Sequence, residues 1–238
     1  MKIVYFVSAV LISVSSTCLG QVLYGVQGSI QSSNLSLNVN TAATGGIDPG
    51  SVFKSSIGYR AGLMADVPVT DQLSIRPQLL YSTKGYKLDF NSLFSSLGGL
   101  GGLLGSIPEI KVATNFIELP IQAMYGLDAG AGRVVLGAGP YVGYALSAAV
   151  DGKSTPFEAG SKRFDYGAAL SVGYEMPSGL SVSAYYSHGF ADMASSANTT
   201  QSPDPTDPDF NPSSLSAAGT AKIRSFGLTL GYFFGTGN

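Results

Sequence analysis

Residues Asn115–Leu146, NFIELPIQAMYGLDAGAGRVVLGAGPYVGYAL, decide the fold of this 238-residue chain. Apolar residues occupy every second position from Ile117 to Tyr125, and again from Val134 to Leu146. The segment Asp128–Gly132 between them has turn chemistry. Alternation with a period of two predicts two strands joined by a short turn. One face is apolar and the other is polar or very small, so the apolar face contacts either a soluble core or the lipid around a barrel.

The same alternation recurs in six further segments, which brings the predicted number of strands to eight. Each is roughly ten residues long, which is the length that a tilted membrane-spanning strand needs. The further strands are predicted to begin near Gln21, Ile57, Leu73, Arg163, Leu180 and Ser225. Long connections at Ser32–Ser55, Asn91–Glu109, Asp151–Lys162 and Ala194–Thr220 alternate with short turns near Thr70, Gly130 and Ser178.

This strict alternation of long and short connections is typical of outer-membrane barrels, which have short periplasmic turns and long outer loops. A soluble sandwich has no reason to segregate its loops in this way. We therefore predict an all-β fold, an eight-stranded antiparallel up-and-down transmembrane β-barrel. Its location would be the bacterial cell outer membrane.

Composition and the first residues agree with this prediction. Only 12% of the residues are charged, about half the usual share. Residues 1–20 have the charged start, short apolar run and small final residues of a cleaved secretory signal peptide. The barrel domain would then cover residues 21–238, without Cys18, the single cysteine of the chain. The net charge of −2 and the absence of a basic run predict no nucleic-acid partner.

Two other interpretations of the central stretch fail, one on glycine spacing and one on helix propensity. Gly137 and Gly139 resemble the start of a dinucleotide-binding loop, but the next glycine is Gly143, one residue late, and the alternation continues instead of turning helical. The segment from Val134 to Val150 carries no charge over seventeen residues and could suggest a membrane helix. Its glycines and Pro140 argue against a helix.

The predicted inward faces collect most of the charge in the strands. Side chains fill the interior of a barrel of eight strands, so charges there must be paired and hydrogen-bonded. We predict a salt-bridged plug in which Glu118 pairs with Arg60 and Arg76, because their strands are neighbours. A gated ion path along the same residues is the alternative. The inward set is Arg60, Asp66, Arg76, Gln78, Lys84, Glu118, Gln122, Arg163, Asp165 and Glu175.

Chemistry outside this set has little support in the sequence. His188 lies beside Ser187 and near Asp192, but adjacent strand residues point to opposite faces, so Ser187 and His188 cannot meet directly. We expect no enzyme activity, no cofactor and no metal site. A leucine- and glycine-rich run in the second long connection predicts a surface that contacts a partner, lipopolysaccharide or the membrane. Its leucines are Leu97, Leu100, Leu103 and Leu104.

Several segments resemble the PorT-like outer-membrane β-barrel domain of Bacteroidota, which is often labelled porin family. The resembling segments are Pro77–Gly85, Phe116–Pro120, Gly139–Gly143, and Tyr174-Glu175 before a Pro-Ser-Gly turn. The likeness covers residues 21–234 and implies the barrel fold without a defined activity. The four residues after Phe234 depart from the usual aromatic end of such barrels.

These observations predict a barrel with a mostly filled lumen and a structural or surface-interaction role through its long extracellular loops. A narrow porin for small solutes or ions is the alternative, and an outer-membrane enzyme acting on lipid or peptide is a third. The expected partners are outer-membrane lipid and lipopolysaccharide, the barrel-assembly machinery during insertion, and an unidentified protein at the extracellular loops.

Overall fold

The computed structural model describes residues 21–39, 53–89, 109–157, 162–191 and 219–235. Within these ranges the regular elements are strands, and no helix is long and apolar enough to cross a membrane. The strands are β1 (Leu23–Val39), β2 (Phe53–Pro68), β3 (Leu73–Leu88), β4 (Ile110–Ala129), β5 (Gly132–Val150), β6 (Lys153–Thr155), β7 (Phe164–Glu175), β8 (Leu180–Gly189) and β9 (Gly219–Phe234).

Eight of these strands close into a barrel. Each barrel strand pairs antiparallel with its neighbours in the chain, and β9 pairs with β1 from Tyr24 opposite Phe234 to Val39 opposite Gly219. The short β6 pairs only with the end of β5, so it extends the wall without joining the ring. The predicted eight-stranded antiparallel barrel is therefore confirmed.

The apolar side chains of the barrel face outward. Ile57, Ile30 and Leu228 expose 73%, 71% and 68% of their surface. The charged side chains of Asp66, Lys84 and others lie inside. A soluble sandwich would bury the first set and expose the second, whereas a membrane barrel turns its apolar band to lipid. Alternation alone left both arrangements open, the loop lengths favoured the second, and the structure has the second.

Aromatic rings mark one edge of the apolar band. Tyr59 and Tyr81 lie on neighbouring strands with ring centroids 6.2 Å apart, and Tyr144 meets Phe164 at 5.1 Å. Such rings occur in barrels at the level of the lipid headgroups, because they combine an apolar body with a polar or polarisable edge.

The connections divide the barrel into two ends. Short turns at residues 69–72, 130–131 and 176–179 lie at one end, which we call the turn end. The opposite end, the loop end, carries the connections after β1, β3, β5 and β8. Gly130 and Gly179 adopt φ of 66° and 86°, which explains a glycine at each of these turns. The predicted alternation of long and short connections is confirmed.

Strand lengths differ from the prediction. The barrel strands have 10 to 20 residues instead of roughly ten, and most of the excess lies at the loop end. The strand β1 continues to Val39, through residues that the sequence assigned to a loop. Strands beyond the membrane still satisfy their backbone groups by pairing, so polar residues do not end them.

The connection after β5 is also more ordered than predicted. Asp151 and Gly152 both have positive φ, 48° and 78°, and join β5 to β6 in a two-residue hairpin. An Asp-Gly pair between strands is a strong hairpin signal. The prediction of a plain loop from Asp151 to Lys162 was therefore wrong at its start.

Candidate functional site: a charged lumen

The lumen carries three tiers of polar contacts between the loop end and the turn end. Each tier joins strands on opposite sides of the barrel, so it is built from residues far apart in sequence. Many of these side chains are almost fully buried, including Lys84, Asp66, Glu118 and Asp165. Charges buried to this degree must be paired and hydrogen-bonded.

The outer tier, nearest the loop end, is centred on Lys84 of β3. Its ammonium Nζ lies 2.5 Å from Glu118 Oε1 on β4 and 3.2 Å from Asp165 Oδ2 on β7. The hydroxyl of Tyr141, on β5, donates to the same Asp165 oxygen at 3.0 Å. The ammonium also lies 4.7 Å from the centroid of the Tyr141 ring and 5.5 Å from that of Phe116. One cation of β3 thus contacts two carboxylates and two rings from three other strands.

The inner tier, nearest the turn end, is a ring of four charges. The guanidinium of Arg76 contacts Asp66 Oδ1 at 2.8 Å and Glu175 Oε1 at 2.7 Å. Arg133 contacts the second oxygen of each carboxylate, Glu175 at 2.6 Å and Asp66 at 3.4 Å. Ser74 donates a further hydrogen bond to Asp66 at 2.8 Å. Two arginines and two carboxylates therefore balance each other across the lumen.

A row of glutamines forms the middle tier. The amide of Gln27 donates to Gln78 at 2.6 Å, and the amide of Gln78 donates to Gln122 at 2.9 Å. Ser171, on β7, donates to the same Gln122 oxygen at 3.4 Å. These bonds cross from β1 through β3 and β4 to β7, so neutral side chains span the lumen between the two charged tiers.

Arg60 belongs to none of these ion pairs. Its guanidinium stacks 3.6 Å from the ring centroid of Tyr185, on β8. The described residues place no carboxylate within ion-pair distance of it. Tyr185 in turn donates its hydroxyl to the side chain of Gln31. The cation is held by an aromatic face instead of a carboxylate, an arrangement that Arg favours because its planar group stacks well.

Bulky side chains on one half of the barrel occupy the space left by small residues on the other half. Lys84 and Arg76 on β3 reach acceptors on β7, and the side chain of Glu118 lies 3.6 Å from the position that a Cβ would take at Gly143 of β5. The cavity that remains beside Arg60 and Arg76 has a volume of only about 30 Å³. That volume holds a single water or little more.

The predicted pairing of Glu118 was wrong. Glu118 pairs with Lys84, and the described residues show no ion pair between Glu118 and either Arg60 or Arg76. Strands of a barrel are tilted, so residues of neighbouring strands at equal height are not register partners. Arg76, whose register partner on β4 is Gln122, pairs with Asp66 and Glu175 in the inner tier instead.

Arg163 and the loop leucines stand apart from the lumen tiers. Arg163 immediately precedes β7, is half-buried, and stacks 4.4 Å from the ring centroid of Phe157. Leu97, Leu100, Leu103 and Leu104 lie outside the described residues, so the surface predicted there stays a prediction.

The predicted inward set lacks several lumen residues, and three of them make the main contacts described above. Arg133 completes the inner tier, Tyr141 completes the outer tier, and Tyr185 carries Arg60. Each has the parity of the inward face of its strand, so alternation placed them correctly. Glycine and serine dominate the inward faces of β5 and β8, so the few large residues among them carried no distinct signal.

His188 faces outward, as its parity predicted. Its Nδ1 lies 3.2 Å from the Tyr186 hydroxyl, and its ring centroid lies 5.6 Å from that of Phe190. Ser187 is buried on the lumen side. Across the described ranges, no group of three or more His, Cys, Asp or Glu side chains is placed to hold a metal ion.

An apolar exterior, a closed ring of eight strands and a polar interior together define a transmembrane β-barrel of the bacterial outer membrane. The sequence matches the family described as "Outer membrane protein beta-barrel domain" over residues 15–195. The chain belongs to this family.

Solved structures of other outer-membrane proteins resemble the chain at low identity. OprG of Pseudomonas aeruginosa is 13% identical, with 89% of this chain and 95% of that chain covered and a TM-score of 0.44. Neisserial surface protein A is also 13% identical, with coverages of 90% and 99% and a TM-score of 0.42. Ail, the attachment invasion locus protein of Yersinia pestis, is 10% identical, with coverages of 90% and 100% and a TM-score of 0.39. No curated protein matches the sequence significantly.

Proposed function

We propose that this protein is a non-conducting outer-membrane barrel with a structural or surface-interaction role. The observation that carries the proposal is the set of three polar tiers across the lumen, which leaves a cavity of about 30 Å³ beside Arg60 and Arg76. A passage for solutes would need a continuous opening through the inner and outer tiers. Both tiers are closed by ion pairs between opposite strands.

The loop end provides the surface for such a role. Strands β4 and β5 run 20 and 19 residues, about twice what the bilayer requires, and pair up to Val112 opposite Val150. We propose that the extended ends of β4 and β5 and the adjoining loops contact an unidentified protein or the outer-membrane surface. These loops include the leucines at 97, 100, 103 and 104. The role we propose is not enzymatic, and it involves no cofactor.

We further propose that the chain is a PorT-like member of the outer-membrane barrels of Bacteroidota. The support is the set of motifs from Pro77 to Glu175 that resemble this domain. The motifs define a barrel and assign no activity, so the resemblance adds no activity to the proposal.

Conductance of the purified chain tests the proposal directly. In planar bilayers we expect no stable single-channel steps, and in liposomes we expect no swelling with small sugars. A wide porin reconstituted in the same membranes provides the positive control. Reproducible steps whose size changes in Arg76→Ala or Glu118→Ala would overturn the proposal and support a narrow porin.

A further inference from the structure

Two cationic side chains lie on the outer face of β9, near the loop end, and the described residues provide no ion-pair partner for either. Arg224 is exposed, and Lys222 lies two residues further toward the loop end on the same face. Across the described residues, neither side chain has a carboxylate within ion-pair distance. His188, the register partner of Arg224 on β8, interacts electrostatically with both. The neighbouring positions on β1 are Asn34 and Ser36, which are neutral.

An apolar groove begins directly below these cations. It has a volume of about 980 Å³ and lies on the outer face of β1, β2, β8 and β9. Small residues form its floor and large apolar residues form its walls. A Cβ added at Gly28 would meet no atom within 4 Å. The main lining residues are Gly28, Ile30, Ala184, Phe226, Leu228 and Leu230.

The two features adjoin along one strand. Phe226, at the upper end of the groove, is two residues from Arg224, a distance of about 7 Å along the strand. Aromatic residues at this level mark the boundary between the hydrocarbon and the headgroups. The cations therefore lie at headgroup height and the groove lies at acyl-chain height.

We propose that this face binds one molecule of lipopolysaccharide from the outer leaflet. A phosphate of its lipid A would be bound by Arg224 and Lys222, and an acyl chain would occupy the groove over Gly28. Arginine binds phosphate through two parallel hydrogen bonds, and lysine adds a point charge. An apolar partner protein would fill the groove but would leave both cations unneutralised, so charge complementarity favours an anionic lipid.

Lipopolysaccharide is favoured over a phospholipid by the orientation of the barrel. The loop lengths predict that the loop end faces the cell exterior, where lipopolysaccharide is the phosphorylated lipid. The site does not depend on whether the lumen conducts. The lipid inference is therefore tested by lipid binding, and the proposed function is tested separately by conductance.

The test uses the full chain in phospholipid nanodiscs. Bisphosphorylated rough lipopolysaccharide is titrated, and bound lipid is counted by native mass spectrometry. Dephosphorylated lipopolysaccharide and phosphatidylglycerol are the comparison lipids. We expect tighter binding of the bisphosphorylated form than of either comparison lipid. The double variant Lys222→Gln/Arg224→Gln should weaken binding about tenfold or more, because charge-assisted hydrogen bonds are lost.

Two further variants separate the site from general membrane charge. Gly28→Leu should fill the groove and reduce binding while the barrel still folds, since that position is open. Lys111→Gln removes an exposed lysine near the loop end of β4, on the opposite side of the barrel, and should leave binding unchanged. Equal binding by all variants, or equal binding of phosphatidylglycerol and lipopolysaccharide, would overturn the inference.

Discussion

The ammonium Nζ of Lys84 lies 3.2 Å from Oδ2 of Asp165, so β3 and β7 are joined across the lumen by residues 81 positions apart. The same ammonium contacts Glu118 Oε1 at 2.5 Å. Both carboxylates are almost fully buried, and Lys84 is the cation that the described residues place between them. The outer tier is therefore a single electrostatic unit, and its stability depends on one side chain.

Removing Lys84 should destabilise the barrel strongly. In Lys84→Ala, two buried carboxylates lose their shared counter-ion, and an uncompensated buried charge costs about 3–5 kcal/mol. The measurement is the free energy of unfolding in lipid vesicles from reversible urea titration. Lys153→Ala removes an exposed lysine of β6 and should change that free energy little. Equal losses in the two variants would show that the outer tier does not stabilise the fold.

The partner of Glu118 is tested by double-mutant cycles. Lys84→Ala and Glu118→Ala should be strongly non-additive, because both remove the same contact. Arg76→Ala and Glu118→Ala should be nearly additive, because the two residues belong to different tiers. The reverse pattern would restore the pairing of Glu118 with Arg76 that the sequence suggested.

The two arginines of the inner tier should differ in their effect. The side chain of Arg76 is 8% exposed and that of Arg133 is 35% exposed, although both contact Asp66 and Glu175. Solvent screens the more exposed pair, so Arg133→Ala should cost less unfolding free energy than Arg76→Ala. The same vesicle titrations compare them. A larger loss in Arg133→Ala would show that Arg133 is the main cation of this tier.

Much of this architecture could be predicted because a strand has only two faces. Once alternation identified the apolar face of each strand, the inward position of residues such as Glu118 and Asp165 followed. Turn residues such as Gly130 also carried a local signal. These features depend on a few neighbouring positions in the chain, so one sequence is sufficient to predict them.

The contacts inside the lumen depend on distances between strands, which the alternating sequence pattern does not determine. Whether Glu118 meets Lys84 or Arg76 is decided by strand tilt, by stagger and by the reach of each side chain across the barrel. The extension of β1 to Val39 depends on pairing with β9, nearly 200 residues later. One-residue shifts in register occur near Ser55 and Asn115. Such a bulge reverses which side chains of the strand point inward beyond it, and the local sequence pattern does not indicate either shift.

The close approach of β2 and β3 should make the fold sensitive to a side chain at Gly62. A Cβ at Gly62 would lie 2.0 Å from the carbonyl oxygen of Leu79, whereas a Cβ at Gly28 would meet nothing within 4 Å. Gly62→Ala should therefore cost about 1–3 kcal/mol through overpacking. Gly28→Ala should stay within about 0.5 kcal/mol of the parent chain. Unfolding titrations of the two matched variants check this, and equal stability would contradict the close approach.

The orientation of the barrel in the membrane can be read by labelling single cysteines on intact cells. Ser154, in the β5–β6 hairpin, lies at the loop end, and Ser178, between β7 and β8, lies at the turn end; both are exposed. Because long loops of such barrels face the exterior, Ser154→Cys should react with a membrane-impermeant maleimide and Ser178→Cys should react only after the outer membrane is permeabilised. The parent chain, whose single cysteine is Cys18, measures the background. Labelling of Ser178→Cys alone on intact cells would invert the orientation. It would also overturn the inference of lipopolysaccharide at Arg224, because Arg224 would then lie in the inner leaflet.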